Sequence, residues 1–111
     1  MVKTIETKRN RKNLFIDTSD NKKIILGIGD DRKIIRIEQK DKSLLKNIDS
    51  FLREKGCTLD SIDQIEINPG SGSFTGLRVG FSVANLLGWY LSIPVNGQMI
   101  SQKQVVLPKY E

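Results

Sequence analysis

The segment from Thr75 to Leu91 is apolar on almost every side of a helix, and this limits how the chain can fold more than any other feature. Its apolar positions cover nearly the whole circumference, with Arg78, Ser82 and Asn85 as the principal polar ones. A surface helix needs one apolar face only, so the pattern predicts a helix that is covered on more than one side. A chain of 111 residues cannot easily supply both covers from its own sheet. We therefore expect a second covering surface, most simply another chain.

Small residues recur every four positions in the same segment. Gly76, Gly80, Ala84 and Gly88 form a stripe that lacks bulky side chains. Three glycines in a helix cost roughly 2–3 kcal/mol relative to alanine, so a close approach of another backbone is expected to compensate. The stripe packs either on the domain's own sheet or against a helix of another molecule, and both packings hold if the stripe and the bulky residues point in opposite directions.

The composition excludes several classes of enzyme. The chain has no histidine and one cysteine, Cys57, which removes Ser/His/Asp triads, Cys/His pairs and the usual zinc sites. A single cysteine forms no intrachain disulfide, which fits a reducing compartment, and no apolar run is long enough to cross a bilayer. With 38% hydrophobic residues the length fits a single domain, and we expect a cytoplasmic protein without a bound metal or cofactor.

Most of the net charge of +5 lies near the N-terminus. Residues 1–12 contain five basic side chains and one acidic side chain, whereas the rest of the chain is nearly neutral. A short basic segment with few apolar residues is typical of a disordered, solvated arm. The alternative is a weak electrostatic contact with RNA, which would weaken steeply as salt is added.

Hydrophobic periodicity predicts an α/β domain over residues 13–97. Apolar runs between turn residues predict three antiparallel strands, a fourth strand and a short final strand, at 13–19, 24–28, 33–37, 64–68 and 93–97. One helix begins at an N-cap, Ser43, and stops at Gly56, and a second runs from about Thr75 to Leu91. A crossover helix between the fourth and fifth strands makes the sheet mixed. We therefore expect a five-stranded mixed sheet with two main helices, followed by a loosely held tail at 98–111.

Two features at strand ends could bind phosphate. The loop from Gly70 to Gly76 follows a strand and opens a helix, where backbone N–H groups can cradle an anion. It departs from the dinucleotide fingerprint at Thr75 and from the P-loop pattern at Leu77, so a tight turn that brings the helix onto the sheet explains it as well. Asp17, at the end of the first strand, could hold a hydrated magnesium ion or form an Asx turn. The candidate residues of a nucleotide-binding or phosphohydrolase site are Asp17, Gly70 and Gly72.

Two motifs carry the most specific information. They are Phe15-Ile16-Asp17-Thr18-Ser19 and Gly70-Ser71-Gly72-Ser73-Phe74-Thr75-Gly76-Leu77-Arg78-Val79-Gly80. Together they resemble the N-terminal lobe of the TsaB (YeaZ) family, over residues 13–97, with Ser71 in place of a proline and Asn85 in place of a lysine. The resemblance implies a ribonuclease H-like lobe of the actin/Hsp70 superfamily with strand order 3-2-1-4-5, and from it we expect this chain to lack the family's second lobe. The structural loop that it implies is formed by Gly70, Gly72, Ser73, Phe74, Thr75, Gly76 and Arg78.

The function implied by this resemblance is a supporting role beside an enzyme. Members of the TsaB family pair with a paralogue, TsaD, which holds ATP and metal and transfers a threonylcarbamoyl group to the adenosine next to the tRNA anticodon. The implied role is a noncatalytic scaffold that binds a TsaD-like protein, with TsaE or a second copy as further partners and tRNA contacted only indirectly or weakly through the basic arm. The implied interface divides apolar helix residues between sheet and partner, without indicating which of them face the partner. These residues are Leu44, Ile48, Phe51, Leu52, Val79, Val83, Leu86 and Tyr90.

Overall fold

In its described part the chain forms one sheet that carries two α-helices on one of its faces. The computed structural model describes residues 12–20, 22–36, 43–70, 75–101 and 105–107. The strands are β1 (Asn13–Asp17), β2 (Lys23–Ile28), β3 (Asp31–Arg36) and β4 (Gln64–Ile67). The helices are α1 (Leu44–Glu54) and α2 (Thr75–Leu91), and a 3-10 turn covers Leu59–Ser61. Nearly all of the basic arm and the loop residues Gly72, Ser73 and Phe74 lie outside the described residues.

The sheet is mixed, with strand order β3-β2-β1-β4. β1 pairs with β2, and β2 with β3, in antiparallel register, because short turns reverse the chain between them. β4 pairs with β1 in parallel, with Leu14 opposite Ile65, because α1 carries the chain back across the sheet. Buried and partly exposed side chains alternate along β1, so one face of the sheet is covered and the other is partly open. This confirms the predicted mixed α/β sheet with two helices.

The predicted fifth strand at residues 93–97 is wrong, because the sheet has four strands in the described part of the chain. Val95 makes a single parallel bridge to β4 before the chain turns. Asn96 and Gly97 have positive φ values of 50° and 82°, which direct the chain away from the sheet edge. On the N-terminal side of Val95, Pro94 has no backbone N–H and so cannot extend the pairing with β4. The strand order is therefore 3-2-1-4 and not 3-2-1-4-5.

The side chain of Asn96 forms the hydrogen bonds to β4 that the backbone of a further strand residue would otherwise form. The backbone N–H of Ile67 donates to Oδ1 of Asn96 at 2.8 Å, and Nδ2 of Asn96 donates to the carbonyl oxygen of Ile67 at 3.0 Å. A carboxamide presents a donor and an acceptor side by side, so it can satisfy the same two groups that a neighbouring strand would. One side chain thus closes the edge of β4 where the backbone pairing ends.

Both helices pack on the same face of the sheet, and their apolar side chains form one core with the inward residues of the strands. Ser43 caps α1, because its side chain accepts a hydrogen bond from the backbone N–H of Lys46 at 3.3 Å. Gly56 follows the end of the helix with a φ of 74°, which favours glycine. Both predicted end signals of α1 are confirmed. The largest fully buried side chains are Phe51, Leu14, Ile16, Leu26, Ile48, Leu52, Ile65, Ile67, Leu77 and Val95.

The candidate partner residues of α1 belong to this core. Leu44, Ile48, Phe51 and Leu52 are all buried, so a partner could not reach them without opening the domain. The physical reason is that α1 has one apolar face, and the sheet needs that face as its cover. These four residues therefore pack on the sheet, and we remove them from the candidate interface.

The small-residue stripe of α2 packs on the domain itself. A Cβ atom added to Gly80 would collide with the side chain of Thr18, and one added to Gly76 would lie 3.0 Å from the carbonyl oxygen of Thr18. Near the other end of the helix, a Cβ atom on Gly88 would collide with the side chain of Val95. The stripe therefore lets α2 approach the end of β1 and the bridge to β4 closely, which is the first of the two packings considered for it.

We expect Gly80→Ala to lower the free energy of unfolding by about 1–3 kcal/mol, although alanine is the better helix former. The added methyl group would meet the buried side chain of Thr18, which has little room to move. Urea unfolding followed by circular dichroism measures the change. In a Thr18→Ala background the loss should be much smaller, because two of the three obstructing atoms are then gone. Equal losses in both backgrounds would contradict the close contact.

Candidate interaction surface

α2 exposes a row of large apolar side chains on the side that faces away from the sheet. Leu86 is 55% exposed and Tyr90 is 74% exposed, Val79 and Trp89 are about half exposed, and Val83 is half-buried. We call these five residues the α2 apolar face. Successive steps of four, three and four residues from Val79 to Tyr90 place the row along one side of the helix.

Large exposed apolar patches on a protein surface are typical of sites of contact with another molecule. Packing of the small-residue stripe and of its buried neighbours on the sheet turns the row outward. This explains why the sequence of α2 is apolar on almost every side. Sequence reasoning names four of the five residues and misses Trp89, although its position three residues after Leu86 is a signal for the same side of a helix.

Leu86 stands between two grooves, one on each side of α2. The C-terminal groove, of about 680 Å³, lies between α2 and the last described residues, and Trp89 and Leu107 line its two sides. The α1 groove, of about 420 Å³, lies between α2 and the region of α1 and the 3-10 turn, and Leu45 and Tyr90 line it. A ridge between two apolar grooves is a shape that can interdigitate with the side chains of a facing helix.

Asn85 holds the C-terminal segment against α2. Its Nδ2 donates to the carbonyl oxygen of Val106 at 2.8 Å, and its Oδ1 accepts the backbone N–H of Val106 at 2.9 Å. The side chain of Val106 is buried in the main core. Val106, which belongs to the predicted tail at 98–111, is therefore anchored. Asn85, which stands in place of the family's lysine, has a structural role because it holds Val106.

The second candidate region lies at the ends of β1 and β4, around Asp17. Oδ1 of Asp17 accepts hydrogen bonds from the backbone N–H of Ser19 at 2.9 Å and from the Ser19 hydroxyl at 2.7 Å. Oδ2 of Asp17 accepts a hydrogen bond from Nδ2 of Asn68 at 3.0 Å. Both carboxylate oxygens thus serve an Asx turn and a link between two strands. Sequence reasoning missed Asn68, whose position just after a strand and before Pro69 is typical of a turn residue.

The same contacts determine the charge of Asp17. Partial burial opposes ionisation, but the hydrogen bonds from Ser19 and Asn68, with the nearby charge of Lys23, outweigh it. They hold the pKa of Asp17 below its usual value. At neutral pH the side chain is therefore a carboxylate that accepts hydrogen bonds, and it has no proton to donate as a general acid.

Of the other candidate residues in the glycine loop, the structure describes those at the two ends of the loop. Gly70 has a φ of 60°, and its N–H donates to Oδ1 of Asn68 at 3.0 Å, which links the loop to the Asp17 region. Gly76 packs against Thr18, and Arg78 is exposed in the first turn of α2. The described residues contain no group of three or more His, Cys, Asp or Glu side chains that could hold a metal ion. Among the helices described, none is both long and apolar enough to cross a membrane.

Comparison with known proteins identifies one family. A family model described as "TsaD: tRNA N6-adenosine threonylcarbamoyltransferase" matches residues 37–98, more than half of the chain. The tRNA threonylcarbamoyladenosine biosynthesis protein TsaB of Haemophilus influenzae is 39% identical over 54 residues, which are 49% of this chain and 23% of that protein. The structure of YeaZ from Pseudomonas aeruginosa matches with a TM-score of 0.66 and 27% identity, over 76% of this chain and 42% of that one. A second structure, of an uncharacterized protein with similarity to peptidase YEAZ from Pseudomonas aeruginosa, has a TM-score of 0.61 and 27% identity, with 77% and 41% covered.

The mixed sheet and its two helices define a ribonuclease H-like α/β domain. The chain belongs to the TsaD family of the matching model, as a member of TsaB (YeaZ) type. This confirms the resemblance carried by the two sequence motifs. The chain spans 23% of the length of the curated relative and 41–42% of the two solved chains.

We expect Asp17→Asn to lower the free energy of unfolding by about 1–2 kcal/mol at pH 7, because an amide accepts weaker hydrogen bonds and turns a donor toward another donor. The pKa of Asp17 is lower in the folded state than in the unfolded state, so its stabilising effect is present above about pH 4 and is lost as the pH falls through the folded-state pKa. The difference between wild type and variant should therefore narrow below pH 4 in urea titrations. Asp60→Asn, at an exposed site, is the control. A difference that stays constant from pH 7 to pH 3 would contradict the assignment.

Proposed function

We propose that the chain is a noncatalytic subunit that docks onto a TsaD-type protein in the biosynthesis of tRNA threonylcarbamoyladenosine. Membership of the family supports the pathway, as does the similarity to a protein named for this biosynthesis. The chain spans only part of its relatives, so the activity of those whole proteins does not transfer to it directly. The proposal therefore depends on what this domain itself can do.

The observation that carries the proposal is the α2 apolar face. Burying a large apolar side chain contributes about 1.5–3 kcal/mol, so four side chains that are about half exposed retain roughly 3–6 kcal/mol of unused burial. Association costs about 4–15 kcal/mol in lost translational and rotational freedom before any net binding appears. A matching apolar face on the partner would contribute a similar amount. The two faces together are therefore of the size that docking requires, and additional contacts would make it tight.

The chemistry of the domain favours a scaffold over an enzyme. The sequence contains no histidine, and Asp17, the carboxylate at the strand end, uses both oxygens for hydrogen bonds within its own fold. These bonds weigh against the nucleotide phosphohydrolase alternative, and we assign the transfer chemistry to the partner. A TsaE-type partner, a homodimer, weak RNA contact through residues 1–12 and a cytoplasmic location stay predictions.

The direct test is Leu86→Glu, with a TsaD-type protein as the partner. Leu86 is exposed in the free domain, so the fold tolerates a glutamate there, whereas docking would bury an unpaired charge. Val83 is less suitable because it packs against the core. We expect the association constant measured by isothermal titration calorimetry to fall at least about 100-fold, and tRNA modification by the mixed proteins to fall with it.

The matched control is Ile34→Glu. Ile34 is 56% exposed, close to the value for Leu86, and it pairs with Ile25 on the sheet face opposite the helices. The variant introduces the same charge at a similar exposure and should leave association and modification unchanged. Circular dichroism establishes that both variants are folded. Wild-type affinity in a folded Leu86→Glu protein would exclude α2 as the docking surface.

A further inference from the structure

We propose that residues 105–107 and α2 together form the docking surface, and that the C-terminal groove between them receives a helix of the partner that carries an apolar stripe and an acidic side chain opposite Arg78. This inference rests on the proposed function and deepens it. Its new element is the C-terminal segment, which supplies the second wall of the groove. Asn85 is the residue that positions this wall.

Asn85 attaches the segment in the way that a neighbouring strand would. Its carboxamide donates to the carbonyl oxygen and accepts the N–H of one residue, Val106, at 2.8 and 2.9 Å. Two hydrogen bonds to the same residue fix where the backbone lies on the helix. The buried side chain of Val106 prevents the segment from sliding along α2. At this point the segment is therefore a fixed part of the surface.

The anchored position of Val106 leaves its two neighbours facing outward. Val105 and Leu107 are both exposed, Leu107 by 69%, on either side of a buried residue, which is the alternation of an extended chain. Both line the C-terminal groove, opposite Leu86 and Trp89 from α2. A helix lying in the groove would bury apolar side chains on both walls at once, as amphipathic helices do in grooves. The second wall therefore adds buried apolar surface to that which α2 provides alone.

The arginine in the first turn of α2 indicates the charge that the partner helix carries. Arg78 is exposed and lines the same groove, and it forms no ion pair with a carboxylate among the described residues. The helix dipole of α2 adds positive potential at this end. An acidic side chain of the partner is therefore favoured near Arg78, whereas the rest of the groove favours aliphatic and aromatic side chains.

Leu107→Glu tests the second wall. The exposed side chain of Leu107 can be replaced without disturbing the core, and its charge would face the partner in the groove. We expect the association constant with a TsaD-type protein to fall about tenfold or more by isothermal titration calorimetry. Ile34→Glu is again the control, because it adds the same charge on the opposite face of the sheet, and it should bind like wild type.

Asn85→Asp tests the positioning of the segment. Aspartate keeps the shape and the acceptor for the Val106 N–H, but its second oxygen cannot donate to the Val106 carbonyl oxygen and repels it, which pushes the segment away. We expect the Val106 amide to lose protection in hydrogen exchange and the association constant to fall about tenfold, with an unchanged circular dichroism spectrum. A loss of affinity without faster exchange at Val106 would overturn the positioning role.

Arg78→Glu tests the charge of the partner helix. The variant should weaken association at low salt and have a smaller effect at high salt, because screening removes the contribution of exposed charges. Arg36→Glu, at an exposed position on β3, is the control and should have no effect. Wild-type affinity of Arg78→Glu at low salt would overturn the acidic partner residue.

These variants separate the inference from the proposed function. If Leu86→Glu abolishes association while Leu107→Glu binds as tightly as wild type, docking through α2 stands and the two-walled surface is overturned. If Leu86→Glu itself binds like wild type, the proposed function fails and the inference fails with it. Loss of association in both variants, with Ile34→Glu unaffected, supports both.

Discussion

The close approach of α2 to the sheet decides most of what this domain presents to its surroundings. Residues without a side chain are needed where Gly76 and Gly80 meet Thr18 and where Gly88 meets Val95. This contact fixes the rotation of the helix, because turning it about its axis would bring larger side chains against the sheet in a closely packed core. The outward direction of the α2 apolar face follows from this rotation.

The two helices have different roles because they differ in how many of their sides are apolar. α1 has one apolar face, and the core of the domain buries its residues Leu44, Ile48, Phe51 and Leu52, whereas Leu45 at its edge stays partly exposed. α2 has apolar residues on almost all sides, and the sheet covers only the part next to the small-residue stripe. The rest, with Leu86 as a ridge between two grooves, remains available for another molecule. The domain therefore has a hydrophobic core of its own, while an apolar side of α2 stays exposed.

Asparagine side chains complete the hydrogen bonding at three places that regular strand pairing does not reach. Asn96 pairs with Ile67 at the edge of β4, and Asn85 pairs with Val106 beside α2. Asn68 links the ends of β1 and β4 through Asp17. In each case a short amide satisfies polar groups that would otherwise lack a partner in a partly buried position.

The sequence by itself determines the four strands of the sheet, both helices and the family, because periodicity, capping and short motifs are local properties. Ser43 and Gly56 mark the ends of α1 without reference to the rest of the fold. Only the tertiary structure decides that the expected fifth strand shrinks to one bridge, that α1 turns inward, and that Trp89 belongs to the exposed face. It also decides the roles of Asn85 and Asn96. Their partners lie 21 and 29 residues away along the chain, and no local pattern specifies contacts at such separations.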